Sequence, residues 1–183
     1  MLSVIMNSEY NIFGLVVQRE KPEHGGKKSV KWYEEIQVDC VPLTPRHCLD
    51  YIALVKSMCL DGDYYFFTCG CGEPGCSQIH SGIQIRHKNR LIYWHSTEPG
   101  PERNFVFAAP QYRLSIVEAL RFVGKTVTSG NEFPIGTLDF TRPRFRRALA
   151  AAELACKLDE PGSAHGKIFK QFTEGMDNIR EGD

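Results

Sequence analysis

The sequence predicts an α+β fold, an antiparallel β-sheet of hairpins with three helices packed on one face, and three observations carry that prediction. Short runs in which apolar and polar residues alternate with period two lie on either side of turn residues, near the start of the chain and again after residue 82. Separate segments repeat apolar residues at helical spacing, and each begins beside a proline suited to a first helical turn. A glycine- and cysteine-rich loop between two strand-like runs reads as a zinc-knuckle-like turn.

Asn11 to Arg19 is apolar and β-branched and runs into turn residues between Pro22 and Lys28, which include Gly25 and Gly26. From Val30 to Cys40 the alternation is clean: Val30, Trp32, Ile36, Val38 and Cys40 share one face, while Lys31, Glu35, Gln37 and Asp39 share the other. These two strands form a hairpin. Glu34 is the polar intrusion on the apolar face, and a buried carboxylate needs a partner, such as an arginine.

Thr44 as cap and Pro45 as first residue open a helix over about 45–60, in which Cys48, Ile52, Val55 and Cys59 line the core side and Asp61-Gly62-Asp63 stops the run. Gly82 to His87 and Arg90 to His95 are strands about a Lys88-Asn89 turn, and Ile83, Ile85, His87, Ile92 and Trp94 share the core face. His87 sits at the rim of that face, hydrogen-bonded, and His95 points the other way. A short strand follows at Asn104 to Phe107. Pro110 opens a second helix to about residue 123, lined by Tyr112, Ile116, Ala119, Leu120 and Val123, with Gly124 or Gly130 closing the segment. The third helix, 142–158, has Phe145, Leu149, Ala152 and Cys156 as its inner stripe. Residues 1–160 are thus expected to form a single domain, and 161–183 a polar, partly flexible tail in which Ile168, Phe169 and Phe172 offer to dock a short helix.

A chain of 183 residues with 42% hydrophobic content has enough apolar surface for one sizeable core. Lys and Arg together number 22, as do Asp and Glu, so net charge gives no push towards nucleic acid or an anionic membrane. No stretch approaches the ~18 apolar residues of a membrane span, and no secretory leader opens the sequence, so a cytoplasmic location is expected.

The loop Thr68-Cys69-Gly70-Cys71-Gly72-Glu73-Pro74-Gly75-Cys76-Ser77-Gln78-Ile79-His80 holds three of the seven cysteines. At strand spacing Cys69 and Cys71 leave on the same face, the glycines and Pro74 supply a turn that returns Cys76, and His80 follows. Three thiolates and an imidazole suit a closed tetrahedral zinc, so Cys69, Cys71, Cys76 and His80 are the expected structural metal ligands. His87, His95, Cys59 and Glu73 compete for the fourth place. A disulfide, a redox pair and free buried thiols are the other readings; the odd cysteine total and the C-x-C spacing speak against the first two.

Arg142, Arg144, Arg146 and Arg147 crowd the first turn of the third helix, where the macrodipole already presents partial positive charge. An anion or an acidic partner surface would meet them there, while a solvated basic face is the plainer reading. No nucleophile elbow, P-loop, H-E-x-x-H or dinucleotide fingerprint is present.

The loop Cys69 to Cys76, with Gly82 to His87, Trp94, Phe105 to Phe107 and Gln111-Tyr112-Arg113, resembles a loosely defined group of uncharacterised small bacterial proteins that share a C-x-C-G-x-x-G-C loop between strands. The resemblance covers Tyr64 to Leu120 and implies an immunity protein or inhibitor. The expectation is therefore a non-enzymatic, zinc-stabilised domain that binds another protein, one with an acidic surface; nucleic acid is not expected as a partner. The alternative is a metal- or thiol-dependent enzyme with an open zinc site at Cys69, Cys71 and Cys76.

Overall fold

A computed structural model of the chain describes residues 10–20, 31–43, 48–69, 75, 78–98, 101–128, 142–158, 167, 169–171 and 173. Its elements are β1 (Phe13–Glu20), β2 (Lys31–Val38), β3 (Val41–Pro42), β4 (Cys48–Leu49), α1 (Tyr51–Ser57), β5 (Gly62–Tyr64), β6 (Phe67–Thr68), β7 (Ile83–Lys88), β8 (Leu91–Ser96), β9 (Arg103–Ala108), α2 (Ala109–Thr128) and α3 (Arg142–Ala155). The α+β class and the antiparallel pairing are as the sequence predicts. The strands form three sheets, however, ordered β1-β2-β3, β4-β6 and β5-β7-β8-β9.

The first hairpin pairs Phe13 with Val38 and Val17 with Glu34, so Phe13, Leu15 and Val17 share the core side with Ile36 and Val38. Asp39 (φ 53°) and Cys40 (φ 65°) then reverse the chain into β3, both in the left-handed region that a two-residue hairpin turn requires. Asp39 holds that turn through its carboxylate, which accepts from Asn11 Nδ2 (2.8 Å) and the Ile12 N–H (2.7 Å). Cys40, expected on the apolar face, is thereby exposed.

The first helix starts later than the Thr44-Pro45 signature suggests, since Cys48 and Leu49 are extended and pair with Thr68 and Phe67. Asp50 is the cap, accepting from the N–H groups of Ile52 (2.9 Å) and Ala53 (3.0 Å). Thr44 and Pro45 lie outside the described residues. Between β7 and β8 the turn falls at Asn89 (φ 53°) and Arg90 (φ 62°), one residue later than expected, and the face assignment stands: Ile85 opposes Trp94 and His87 opposes Ile92.

Helix α2 passes straight through Gly124, which is a crossing point and no terminus: a Cβ there would lie 3.0 Å from the Phe145 ring of α3. The inner stripe of α3 is Ala148, Ala151, Ala152 and Ala155, all fully buried, and small residues let the two helices approach closely. Cys156, placed on that stripe from sequence, is exposed at the helix end. Past residue 160, Phe169 and Thr173 are helical and fully buried, so the core extends into the segment expected to be a tail.

Phe13 joins the layers, its ring lying 5.4 Å from Trp94, 5.6 Å from Phe107 and 4.4 Å from Tyr112, centroid to centroid. Arg113 does the equivalent for the helices. It is 3% exposed, and its guanidinium donates from Nε to Met58 O (3.0 Å), just past α1, and from Nη1 to Leu158 O, just past α3 (2.5 Å). A cation is favourable beside the carbonyl-rich ends of helices, and each buried carbonyl would otherwise be costly. Replacing Arg113 by Ala is expected to lower the unfolding free energy by about 3 kcal/mol, and Arg113→Met, which restores the stem without the N–H groups, to recover only part of it. Urea denaturation followed by circular dichroism measures both; equal stability of wild type and Arg113→Ala would refute the role.

Candidate functional site

In an antiparallel ladder, the N–H and C=O groups of alternate residues point to opposite edges of the strand. The Asp39 N–H donates to Ile12 O (2.9 Å), which fixes the even-numbered residues of β1 as those bonded to β2. Phe13, Leu15 and Val17 therefore turn their backbone groups to the other edge. At Phe13 that edge is closed by α2: the Phe13 N–H donates to Gln111 Oε1 (3.2 Å), and Phe13 O accepts from Gln111 Nε2 and from Ser115 Oγ (3.0 Å). At Leu15 and Val17 no described residue takes their outward N–H or C=O groups.

Those open groups border a groove of about 300 Å³ between β1 and α2, lined by Leu15, Val17, Ser115, Glu118, Ala119 and Phe122 among others. Leu15 and Val17 pack onto the core and make its floor apolar, and Phe122 is 46% exposed. Glu118 is exposed on the helix wall and has no ionic partner among the described residues. Its neighbour Arg121 is already engaged, donating to Glu153 Oε1 from Nε (3.0 Å) and Nη2 (2.9 Å).

At the cysteine loop, Cys69 is disulfide-bonded, and its partner is outside the described residues. Cys71, Cys76 and Glu73 lie outside the described residues. His80 is exposed, and its main chain is held by Glu98, whose carboxylate accepts from the N–H groups of His80 and Ser81 and is held below its usual pKa by them. Among the described residues, no group of His, Cys, Asp and Glu is gathered as a metal site. Of the other ligand candidates, His95 meets Asn104 Oδ1 (3.0 Å), Cys59 is buried with its thiol pushed up to about 11 by desolvation, and His87 is committed elsewhere. Arg146 and Arg147 are exposed on α3, while the side chains of Arg142 and Arg144 are outside the described residues.

His87 resembles half of a catalytic pair, with Nδ1 2.8 Å from Asp61 Oδ1, but Nε2 faces the Ser57 carbonyl at 3.0 Å and the side chain is only 2% exposed. No substrate reaches that nitrogen. Ser57 Oγ is likewise occupied, donating to Leu54 O (2.6 Å) beside the Tyr112 hydroxyl (2.7 Å). Glu34 is 6% exposed and, where an arginine was expected, finds the Leu49 N–H (3.3 Å) and the buried Tyr51 hydroxyl. The adjacent Cys48 thiol is pushed up by burial and then by Glu34, which keeps it protonated and unreactive.

No protein-family model, no curated protein and no solved structure matches the chain. No described helix is long and apolar enough to cross a membrane.

Sequence reasoning missed the groove, although two signals marked it. The first strand carries no Lys, Pro or other edge-blocking residue between Phe13 and Val17. Phe122 also falls off the apolar stripe of its helix. Hydrogen exchange followed by NMR is expected to show fast exchange at the Leu15 and Val17 amides and slow exchange at Gly14 and Val16; uniform protection along β1 would mean that the edge is covered. Burial, opposed by Asp61, lowers the pKa of His87 below its ordinary value. The folded state then binds fewer protons than the unfolded chain as pH falls from about 7 past the ordinary imidazole value of about 6.5, so stability is lost through that window. Urea midpoints between about pH 7 and 5 should fall less steeply in His87→Gln than in wild type, and parallel slopes would assign the loss to other groups.

Proposed function

We propose that this chain is a non-enzymatic protein-binding domain that takes an extended segment of a partner protein as an added strand on β1, in the manner of an immunity protein or an inhibitor. The observation that carries the reading is the pair of outward-facing backbone sites at Leu15 and Val17, unbonded among the described residues, beside the β1–α2 groove. Strand addition draws affinity from main-chain hydrogen bonds and specificity from the pockets that receive alternate side chains. Two residues offer four such bonds, and at about 1 kcal/mol each they contribute roughly 4 kcal/mol, against the ~8 kcal/mol of a micromolar complex. The remainder has to come from side chains entering the groove, where Phe122 is 46% exposed.

The enzyme reading draws no support from the geometry. His87 Nε2 is turned to the Ser57 carbonyl, the Cys48 thiol is held protonated, and Cys69 is in a disulfide. The binding reading is independent of zinc, since β1 and α2 hold each other without the cysteine loop.

Val17→Pro deletes an outward N–H while sparing the bonds between β1 and β2, and edge strands tolerate proline. Linear peptides selected from a phage-displayed random library on the wild-type protein are expected to bind Val17→Pro about tenfold or more weakly at unchanged melting temperature. Equal affinity for the two proteins would refute docking at this edge.

A further inference from the structure

Resting on the strand-addition reading, we infer that the β1–α2 groove selects a partner segment in which apolar residues facing β1 are accompanied by one lysine or arginine opposite Glu118. The groove has two chemically different sides. Its floor is Leu15 and Val17, with Ala119 and Phe122 on the helix side, and these suit the apolar side chains that an added strand presents every second residue. Its acidic wall is Glu118, exposed and without an ionic partner among the described residues, while Arg121, three residues on, is already held by Glu153. A lysine or arginine entering beside Glu118 would lay its aliphatic stem along Ala119 and bring its charged head to the carboxylate.

The closed end of the groove fixes where the segment stops. Gln111 and Ser115 occupy the outward backbone groups of Phe13, so an added strand enters from the Val17 and Phe122 end and pairs no further than Leu15. The same closure disfavours a second copy of this chain as the occupant. A second β1 would carry its own α2 against its edge, bringing two helices and two Glu118 carboxylates into one narrow space, where like charges repel. A single extended segment of another protein has neither obstacle.

The test is selection of a phage-displayed library of linear heptapeptides on wild-type protein, Glu118→Gln and Glu118→Lys, with Val17→Pro as the control for strand addition. Glu118 is exposed, so all three Glu118 forms should fold alike, and melting temperatures check it. Wild type is expected to enrich peptides combining alternating apolar residues with Lys or Arg; Glu118→Gln loses the basic preference, and Glu118→Lys turns it towards Asp or Glu. A synthetic basic peptide from the wild-type selection should bind Glu118→Lys at least tenfold more weakly. If all three forms enrich the same peptides with equal affinity and Val17→Pro still weakens them, the charge selection is wrong and strand addition stands. If wild type enriches nothing, both fall. A concentration-dependent dimer in sedimentation that Val17→Pro abolishes would make a second copy the occupant and overturn the inference.

Discussion

Phe13 carries two attachments that the rest of the molecule depends on. Its ring stands among Trp94, Phe107 and Tyr112, while its backbone N–H and C=O are bonded to Gln111 and Ser115 of α2. Burial of an aromatic ring of this size contributes about 1.5–3 kcal/mol, and tilted and edge-on ring pairs add about 0.5–1.5 kcal/mol each. The apolar half fixes how deep β1 sits; the polar half fixes its distance from α2. Gln111 and Ser115 bond the strand at Phe13, and the groove lies beyond them at Leu15 and Val17, where no described residue does so.

Elsewhere polar groups with internal partners help to hold the core, although Arg113 Nη2 and Glu34 Oε1 stay buried without a hydrogen bond among the described residues. Arg113 closes the carbonyl ends that follow α1 and α3, Glu34 meets Tyr51 and the Leu49 N–H, and His87 bridges Asp61 and the Ser57 carbonyl. Each is ionisable, and each would suggest chemistry in isolation. Their partners are backbone groups and side chains of this chain, Asp61 among them at the surface, so they join separate elements. Binding is accordingly sought at the surface, where backbone groups stay open.

The period-two runs made much of the sheet structure legible: the β1–β2 hairpin and the shared face of Ile85, His87, Ile92 and Trp94 follow from alternation alone. Turn positions were less legible, because Cys40 and Arg90 adopt positive φ that neither residue type advertises. The start of α1 was misplaced because Thr44-Pro45 and Asp50 are both sound caps, and the choice fell to a tertiary contact, the pairing of Leu49 with Phe67. The inner stripe of α3 shifted onto alanines because Gly124 draws α2 close to Phe145. The groove was least legible of all. Alternation tells which face a side chain takes and is silent on which edge of a strand stays open, and that edge depends on Gln111, 98 residues away from Phe13.

That sequence distance has a temporal consequence. A ribosome adding about 5–20 residues per second needs roughly 5–20 s to travel from Phe13 to Gln111, and contacts so far apart in sequence form slowly even in the finished chain. For most of that interval the first hairpin has neither its helix nor the aromatic residues that later enclose Phe13. Its outer edge is then open along its whole length, Phe13 included, and free to pair with any extended chain nearby. The helix that shapes the mature groove is therefore also what ends this early promiscuity, since its arrival closes the edge at Phe13.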